Sequence, residues 1–229
     1  MVQVDTTYPR ERARLARKAR EDLAPLVDRI AADVEIRSRA GLSPLMDSGR
    51  WSGPLAAALA DVGEQAVADI GERVTIALGG IVEERAARPW SPAGAVNYII
   101  AVANAMGSGK IDEAYLYLER AVQQGAPRVE LLDHVRSYLT AAGADMADVA
   151  ANFAVLDASE RADAQWKVWQ VNSGNPRSSH AAVNGERRRL GEAFSNGMAY
   201  PRGPSPDGAA GVANCECSMV IIKEGSDAG

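Results

Sequence analysis

The chain has 229 residues, of which 47% are hydrophobic and 24% are charged, and its formal net charge is −5. This length and composition suit a soluble protein with room for a full hydrophobic core, and no apolar run approaches the ~18 residues that would span a bilayer. The acidic balance argues against a general nucleic-acid-binding protein, and the start of the chain lacks the pattern of a signal peptide, so we expect synthesis in the cytosol.

Two long amphipathic helices are predicted in the first part of the chain. Apolar residues recur at spacings of three and four across residues 10–40 and again across 52–88, which forms one apolar stripe on each helix. We expect Gly41 to end the first helix and Pro25 to kink or break it. The glycine pair at 79–80 can end the second helix early. Stripes of this length favour a helical hairpin or an oligomer interface.

Shorter helices are predicted between residue 92 and the tryptophan-containing segment that follows. Ser91 and Pro92 suit the cap and first turn of the first of them. Gly125 followed by Pro127 is a common order at the end of a helix. The predicted ranges are 92–106, 110–124, 127–142 and 145 to Trp169.

Glycines are expected to separate these shorter helices. Gly107 and Gly109 should break the chain between the first two, and Gly143 should end the third before Asp145 caps the fourth. The run from Gly107 to Lys110 is not a phosphate-binding loop. That loop requires an earlier glycine, a final Ser or Thr, and a preceding strand, and this segment has none of them.

A group of basic residues lies on the first predicted helix. One interpretation is a solvated helix face balanced by nearby acids, and the other is a contact with DNA phosphates or an acidic partner. The group consists of Arg10, Arg12, Arg14, Arg17, Lys18 and Arg20.

The two cysteines and one of the two histidines fall in the last quarter of the chain. A disulfide between Cys215 and Cys217 would close a strained ring, so we expect these cysteines to be reduced, and either packed or metal-bound. His180 is a third residue of a type that zinc takes as a ligand. His134 lies within a predicted helix, where we expect it at the surface or packed.

Two short strands are predicted to enclose an irregular segment rich in Gly, Pro, Asn and Ser. Residues 166–171 alternate and contain β-forming side chains, so they either finish the preceding helix or begin a strand. Residues 218–222 form a short apolar run of strand type. We expect the two runs to pair and to clamp the segment between them.

The order of residues in this last quarter resembles the C-terminal region of the phage Mu protein F-like minor head proteins. The pattern is Trp, Arg-x-x-His, Asn-Gly, Phe-x-x-Gly, Pro and Asn-Cys-x-Cys. Glu216 stands where the family often has arginine, which would remove any contact made by that arginine. Asn175 lies where an aspartate is common, which removes a possible carboxylate ligand. The matching residues are Trp169, Arg177, His180, Gly185, Phe194, Gly197, Pro201, Asn214, Cys215 and Cys217.

The resemblance implies a structural role inside a phage head. It implies a minor capsid protein that binds the portal protein and other capsid proteins and assists head assembly, DNA packaging or DNA release. The protein would be made in the host cytoplasm and would end in the virion near the portal. We expect residues 10–88 to contact the portal or sister copies, and the basic group to contact packaged DNA. No membrane role and no enzymatic activity are expected.

The C-terminal segment has two physical interpretations. In one, it is a compact module in which His180 bonds a backbone carbonyl, Arg177 donates to loop carbonyls and the cysteines pack as small apolar residues. Gly185, Gly197 and Gly208 would then supply positive φ, and Trp169, Phe194 and Tyr200 would form the core. In the other, zinc is added through His180, Cys215 and Cys217. No cofactor is required by the first interpretation.

Two other functions remain open on the sequence. One is a metal-dependent hydrolase that uses His180, Cys215 and Cys217, although no Gly-x-Ser-x-Gly or His-Glu-x-x-His motif supports it. The other is a host-cell helical adaptor. The predicted fold is mainly α, with an elongated helical region and a small irregular α+β module that contains a short β-pair. The predicted divisions are a helical arm over 1–90, a helical domain over 91–165 and the Mu F-like module over 166–229.

Overall fold

The structure, a computed structural model, describes residues 2–42, 46–79, 93–208, 212 and 215–224. The prediction of a mainly helical protein with a small β-containing module near the C-terminus is confirmed. The helices are α1 (Pro9–Arg39), α2 (Ser48–Gly79), α3 (Ala93–Gln123), α4 (Arg128–Arg161) and the short α5 (Ser178–Ala181). The strands are β1 (Val2–Asp5), β2 (Trp166–Gln170), β3 (Arg187–Arg189) and β4 (Ser218–Lys223).

The four strands form one antiparallel sheet in the order β1-β4-β2-β3. The predicted pairing of the two apolar runs is confirmed, because β2 and β4 are neighbours and Trp169 lies opposite Met219. The strand β4 occupies a central position and is buried along almost its whole length, as its continuous apolar sequence predicts. The edge strands β1 and β3 were not predicted.

The chain divides into two compact units, and the division falls within all four long helices. The sheet unit comprises Met1–Arg12, Gln65–Ala95 and Asp148–Gly229, taken over their described residues. The bundle unit comprises Ala13–Glu64 and Val96–Ala147. The first strand therefore belongs to the same unit as the C-terminal segment. The predicted domains, with boundaries near residues 90 and 165, place these two parts of the chain in different domains.

Antiparallel helix segments build the bundle unit. Arg50 on α2 pairs with Asp33 on α1 at 3.1 Å, and Lys110 on α3 pairs with Asp145 on α4 at 3.3 Å. The predicted apolar stripe of α1 is confirmed as a buried face. Its members are Leu15, Ala19, Leu23, Leu26, Val27, Ile30 and Val34.

The predicted breaks at Gly107, Gly109 and Gly143 are wrong, because α3 and α4 run through these positions. A Cβ on Gly107 would lie 2.8 Å from the backbone nitrogen of Ala56, so glycine here allows α2 and α3 to approach closely. A Cβ on Gly143 would lie 3.1 Å from Leu23 Cδ1. These two glycines permit close packing of helices. The sequence pattern alone does not distinguish such a glycine from one that ends a helix.

Other predicted boundaries have mixed outcomes. Of the two outcomes predicted at Pro25, the break is wrong, since α1 is continuous, and the kink stays a prediction. Asp145 lies inside α4 instead of capping it. The helix ends near Gly41 and Gly125 are confirmed, and both glycines have positive φ. The described part of α2 runs to Gly79. Residues 80–88 and the start signal at 91–92 lie outside the described residues.

The helix α4 also meets the length and hydropathy of a membrane span. However, 67% of its apolar window is buried inside the protein, as in a core helix. Its hydrophobicity is therefore accounted for by packing.

Candidate metal centre

Three side chains of the sheet unit converge on one point, as the sequence predicted. His180 Nδ1 lies 3.5 Å from Cys215 Sγ and 3.7 Å from Cys217 Sγ. Both cysteines are free thiols and all three residues are buried. Their ligand atoms lie within 4.8 Å of one another, so these residues form a group that could hold a metal ion.

Local backbone bonds and aromatic packing position His180. The carbonyl of Arg177 accepts hydrogen bonds from the backbone N–H groups of His180 at 3.0 Å and Ala181 at 2.8 Å, which closes the single turn of α5. The ring of His180 packs edge-on against Trp169, with centroids 5.3 Å apart. Trp169 on β2 therefore helps to fix the orientation of the imidazole.

The two cysteines lie in an extended segment that runs directly into β4. Alternate residues of an extended chain face the same side, which brings the two sulfurs together and leaves Glu216 exposed. The amide of Asn172 fixes this segment by donating to the Glu216 carbonyl at 2.8 Å and to Ser218 Oγ at 3.0 Å. The Cys-x-Cys spacing is thus explained by extended geometry.

The Asn-Gly-Glu turn holds the end of β2. Gly185 has a φ of +79°, as predicted, and its N–H donates to the Trp169 carbonyl at 2.8 Å. The N–H of Trp169 donates in return to the Glu186 carbonyl at 3.1 Å. The side chain of Asn184 accepts from the N–H of Val171 at 2.9 Å. This motif orients Trp169 and, through it, His180.

The predicted miniature core is confirmed for Trp169 and Phe194, whereas Tyr200 packs edge-on against Phe153 of α4, with centroids 6.0 Å apart. Trp169, Phe194 and Tyr200 are buried, and the rings of Trp169 and Phe194 meet edge to face with centroids 5.1 Å apart. Gly197 and Gly208 have positive φ, as predicted. A Cβ on Gly197 would also meet Pro206 at 2.6 Å.

Arg202 is a residue of this site that the sequence did not reveal. Its side chain is 8% exposed, its Nε donates to the Cys215 carbonyl at 2.6 Å, and Nη2 lies 3.7 Å from Asp148 Oδ2. Its φ of +62° is unusual for a residue with a side chain. Arg12 pairs with the same carboxylate at 3.5 Å. This partly buried network of charges therefore helps to hold the backbone of the cysteine segment in place.

The two thiols have unequal proton affinities. The hydrogen bond from Cys217 lowers the pKa of Cys215 to about 6, with help from the Cys217 backbone N–H and the charges of His180 and Arg202. The pKa of Cys217 is raised by its hydrogen bond to Cys215 and by burial. The indole of Trp169 acts in the opposite direction on Cys217. Cys215 is therefore the thiol that ionises first.

Lys167 is a second buried charge that the sequence did not reveal. Its ammonium donates to the carbonyls of Leu190 and Ala199, each at 2.7 Å. Burial lowers the pKa of Lys167 to about 8, although Glu160 and Glu192 act against this shift. The lysine ties two irregular loops to β2.

A cavity of about 240 Å³ adjoins all three candidate ligands. Its wall is polar and includes the half-buried Arg177. The lining residues are Ser173, Asn175, Pro176, Arg177, His180, Cys215, Glu216 and Cys217.

The remaining predicted residues include some that form ion pairs and others that are exposed. Arg12 is held by Asp148 and Asn152, and Lys18 pairs with Asp22 at 2.6 Å. Within the basic group, Arg10, Arg14, Arg17 and Arg20 are exposed. Pro201 is buried beside Tyr200, and Asn214 lies outside the described residues. Two hydrogen-bonding assignments stay predictions. One is a bond from His180 to a backbone carbonyl, and the other is donation by Arg177 to loop carbonyls.

His134 lies apart from the candidate centre. It stacks on Tyr117 with ring centroids 3.4 Å apart and faces Tyr138 at 5.5 Å. This confirms the prediction of a packed histidine.

No family model, curated protein or solved structure matches the chain. The fold and the site define a mainly helical protein whose small β module contains a buried His-Cys-Cys group that could hold a metal ion.

Proposed function

We propose that the chain is a minor head protein of a tailed bacteriophage that associates with the portal protein. The observation that supports this is the position of the motif that resembles the Mu F-like family. Its described residues gather in one module around β2, where they are buried, line the cavity or form positive-φ turns. Such residues specify a fold, and a fold signature agrees with a structural role.

The helices supply the interaction surface in this proposal, but through faces other than those first expected. The apolar stripe of α1 is buried within the protein and cannot also bind a partner. Exposed apolar side chains remain on the same helices, among them Ile36 at 66% and Ile76 at 65%. Contact with the portal, other capsid proteins or sister copies would therefore use the outer faces of α1 and α2.

Co-sedimentation tests the proposed association. The full chain is co-expressed with the portal protein encoded nearest to it, and a portal from an unrelated phage is the control. We expect the chain to sediment with its own portal ring only. A folded chain that stays at the top of the gradient with both portals contradicts the proposal.

Within the basic group, the candidates for the proposed contact with DNA are the exposed arginines. Arg12 is committed to Asp148 and is omitted. Replacing Arg10, Arg17 and Arg20 with Ala should weaken DNA binding at low salt and flatten its salt dependence. Unchanged binding would remove DNA from the list of partners.

We propose further that His180, Cys215 and Cys217 bind zinc. A tetrahedral zinc with Zn–S of about 2.3 Å and Zn–N of about 2.0 Å separates nitrogen from sulfur by about 3.5 Å. The two nitrogen–sulfur distances of 3.5 and 3.7 Å match this geometry. Thiolate and imidazole are also the donors that zinc prefers.

A nearby donor supports the same proposal. The buried indole N–H of Trp169 makes no hydrogen bond of normal geometry within the described part of the chain, yet it acts on the Cys217 thiol. A zinc-bound thiolate at Cys217 would give this N–H the acceptor that it lacks. The ion would join α5 to the segment before β4 and so stabilise the module.

Elemental analysis of the two histidine variants tests zinc binding. The protein, purified without chelators, should contain about one zinc per chain, since the site supplies one set of ligands. His180→Gln should lose the zinc, whereas His134→Gln, which alters the stacked histidine of α4, should retain it. Equal zinc content in both variants contradicts the assignment.

A further inference from the structure

The candidate metal centre supplies fewer ligands than a closed zinc site needs. Structural zinc sites have four protein ligands, whereas sites with three keep a position for water or an exogenous group. Among the His, Cys, Asp and Glu side chains of the described ranges, only His180, Cys215 and Cys217 gather here. One coordination position therefore has no ligand among those side chains.

A cavity adjoins the three candidate ligands and provides room next to a metal ion that they would hold. All three candidate ligands line it, and its volume of about 240 Å³ exceeds the roughly 30 Å³ that one water occupies in the liquid. It can therefore accommodate a small anion together with water. Ser173 and Asn175 add polar groups to the wall.

Arg177 is the basic residue of the cavity lining. A guanidinium offers a fork of N–H donors that matches the oxygens of a carboxylate or phosphate. Two thiolates and a neutral histidine cancel the charge of Zn²⁺, so the ion and its ligands do not repel an anion. Glu216 also lines the cavity, but it is exposed, and solvent screens its charge.

We propose that the fourth position of this zinc is exchangeable and binds a small oxyanion that Arg177 also contacts. Water occupies the position in the resting state and is displaced when the oxyanion coordinates. No bond of the protein is made or broken, so the step is a ligand exchange. This inference rests on the proposed zinc site.

Cobalt substitution of the full chain tests the inference, because the visible spectrum of Co²⁺ reports its ligands. The probes are acetate and inorganic phosphate, titrated separately at constant ionic strength. We expect a saturable change in the cobalt bands with at least one of them, and the anion that acts identifies the preferred oxygen group.

Variants distinguish a built site from a general anion effect. Arg177→Gln should weaken the apparent affinity for the anion about tenfold, as expected when a charge-assisted pair is lost. Arg177→Lys should restore part of the affinity. The control is Arg187→Gln on β3, an exposed arginine outside the cavity lining, which should behave as the wild type.

The possible results distinguish failure of the exchangeable position from failure of the zinc site itself. A chain that binds no cobalt and no zinc overturns the metal centre itself. A chain that binds one cobalt, with a spectrum that neither anion changes, keeps the metal centre and overturns the open position. Equal anion affinity in Arg177→Gln and the wild type overturns the role of Arg177.

Discussion

Lys167 shows how a single buried charge can organise an irregular module. Its ammonium binds two loop carbonyls, which replaces the regular hydrogen bonds that these loops lack. A buried lysine is costly, however, because burial disfavours its charged form. The stability of the protein should therefore depend on pH through this residue.

The direction of that dependence follows from the pKa. Burial lowers the pKa of folded Lys167 to about 8, below its ordinary value of 10.5. Between these values the unfolded chain binds more protons than the folded chain, so the free energy of unfolding should rise with pH across this window. The neutral amine retains two N–H groups for the two carbonyls.

Urea unfolding at several pH values measures this effect, with Lys167→Met as the reference. The wild type should gain stability relative to the variant as pH rises from 8 towards 10.5. Parallel pH profiles for the two proteins would show that the lysine is not destabilised by burial.

Arg202 acts on the candidate centre without touching a metal ligand atom. It donates to the Cys215 carbonyl and pairs with Asp148, which fixes the backbone that carries the thiol. Loss of a residue that supports a ligand typically lowers metal affinity about 10- to 100-fold. We expect Arg202→Gln to show a loss of this size in zinc affinity, measured by chelator competition.

The exposed Arg187 provides the control for this measurement, and Arg187→Gln should keep the wild-type affinity. Unchanged affinity in a folded Arg202→Gln protein would mean that Arg202 serves the fold alone.

At the scale of elements, the tightly packed Gly107 should respond to substitution in the opposite way from an ordinary helical glycine. Replacing a helical glycine with alanine usually stabilises a helix by about 0.5 to 1 kcal/mol. At Gly107 the new Cβ would lie 2.8 Å from the Ala56 backbone, whereas at Gly109 nothing lies within 4 Å. The two positions share one helix and differ in this contact.

We therefore expect opposite signs for the two substitutions. Gly107→Ala should lower the free energy of unfolding by about 1 to 3 kcal/mol through overpacking, and Gly109→Ala should raise it. Chemical unfolding of both variants gives the comparison. Stabilisation by Gly107→Ala would contradict the close approach of α2 and α3.

The elements that could be predicted are those with a local signal. The periodic apolar residues of α1 and the alternation in β2 need only their own neighbours to be recognised. The three arginines of β3 have no such signal, because they become a strand by pairing with β2. Likewise β1 forms because β4 offers an edge more than two hundred residues later.

The candidate site divides in the same way. His180, Cys215 and Cys217 could be selected because few residue types bind zinc and all three occur in the last quarter of the chain. Arg202, Lys167 and Asn172 could not, since each acts through backbone carbonyls brought close by the fold. The same limit applies to Gly107, because its neighbour Ala56 is distant in sequence.

At the scale of the whole molecule, the apolar surfaces of the helices are largely used internally. The buried faces of α1 and α4 account for their hydrophobicity without a membrane or a coiled-coil partner. What remains for partners are exposed side chains and the basic residues near the start of α1. A protein that contributes to a larger particle through such surfaces agrees with the proposed role in the phage head.

The central claim is that this chain is part of a virion, and the composition of purified particles tests it most directly. Particles of the phage or prophage whose genome encodes the chain are banded by density and probed for the chain by mass spectrometry. We expect the chain to be present in mature heads, in low copy and in fixed ratio to the portal protein. Particles that lack the chain, while the cells that produced them contain it, would contradict the claim and favour a host-cell adaptor.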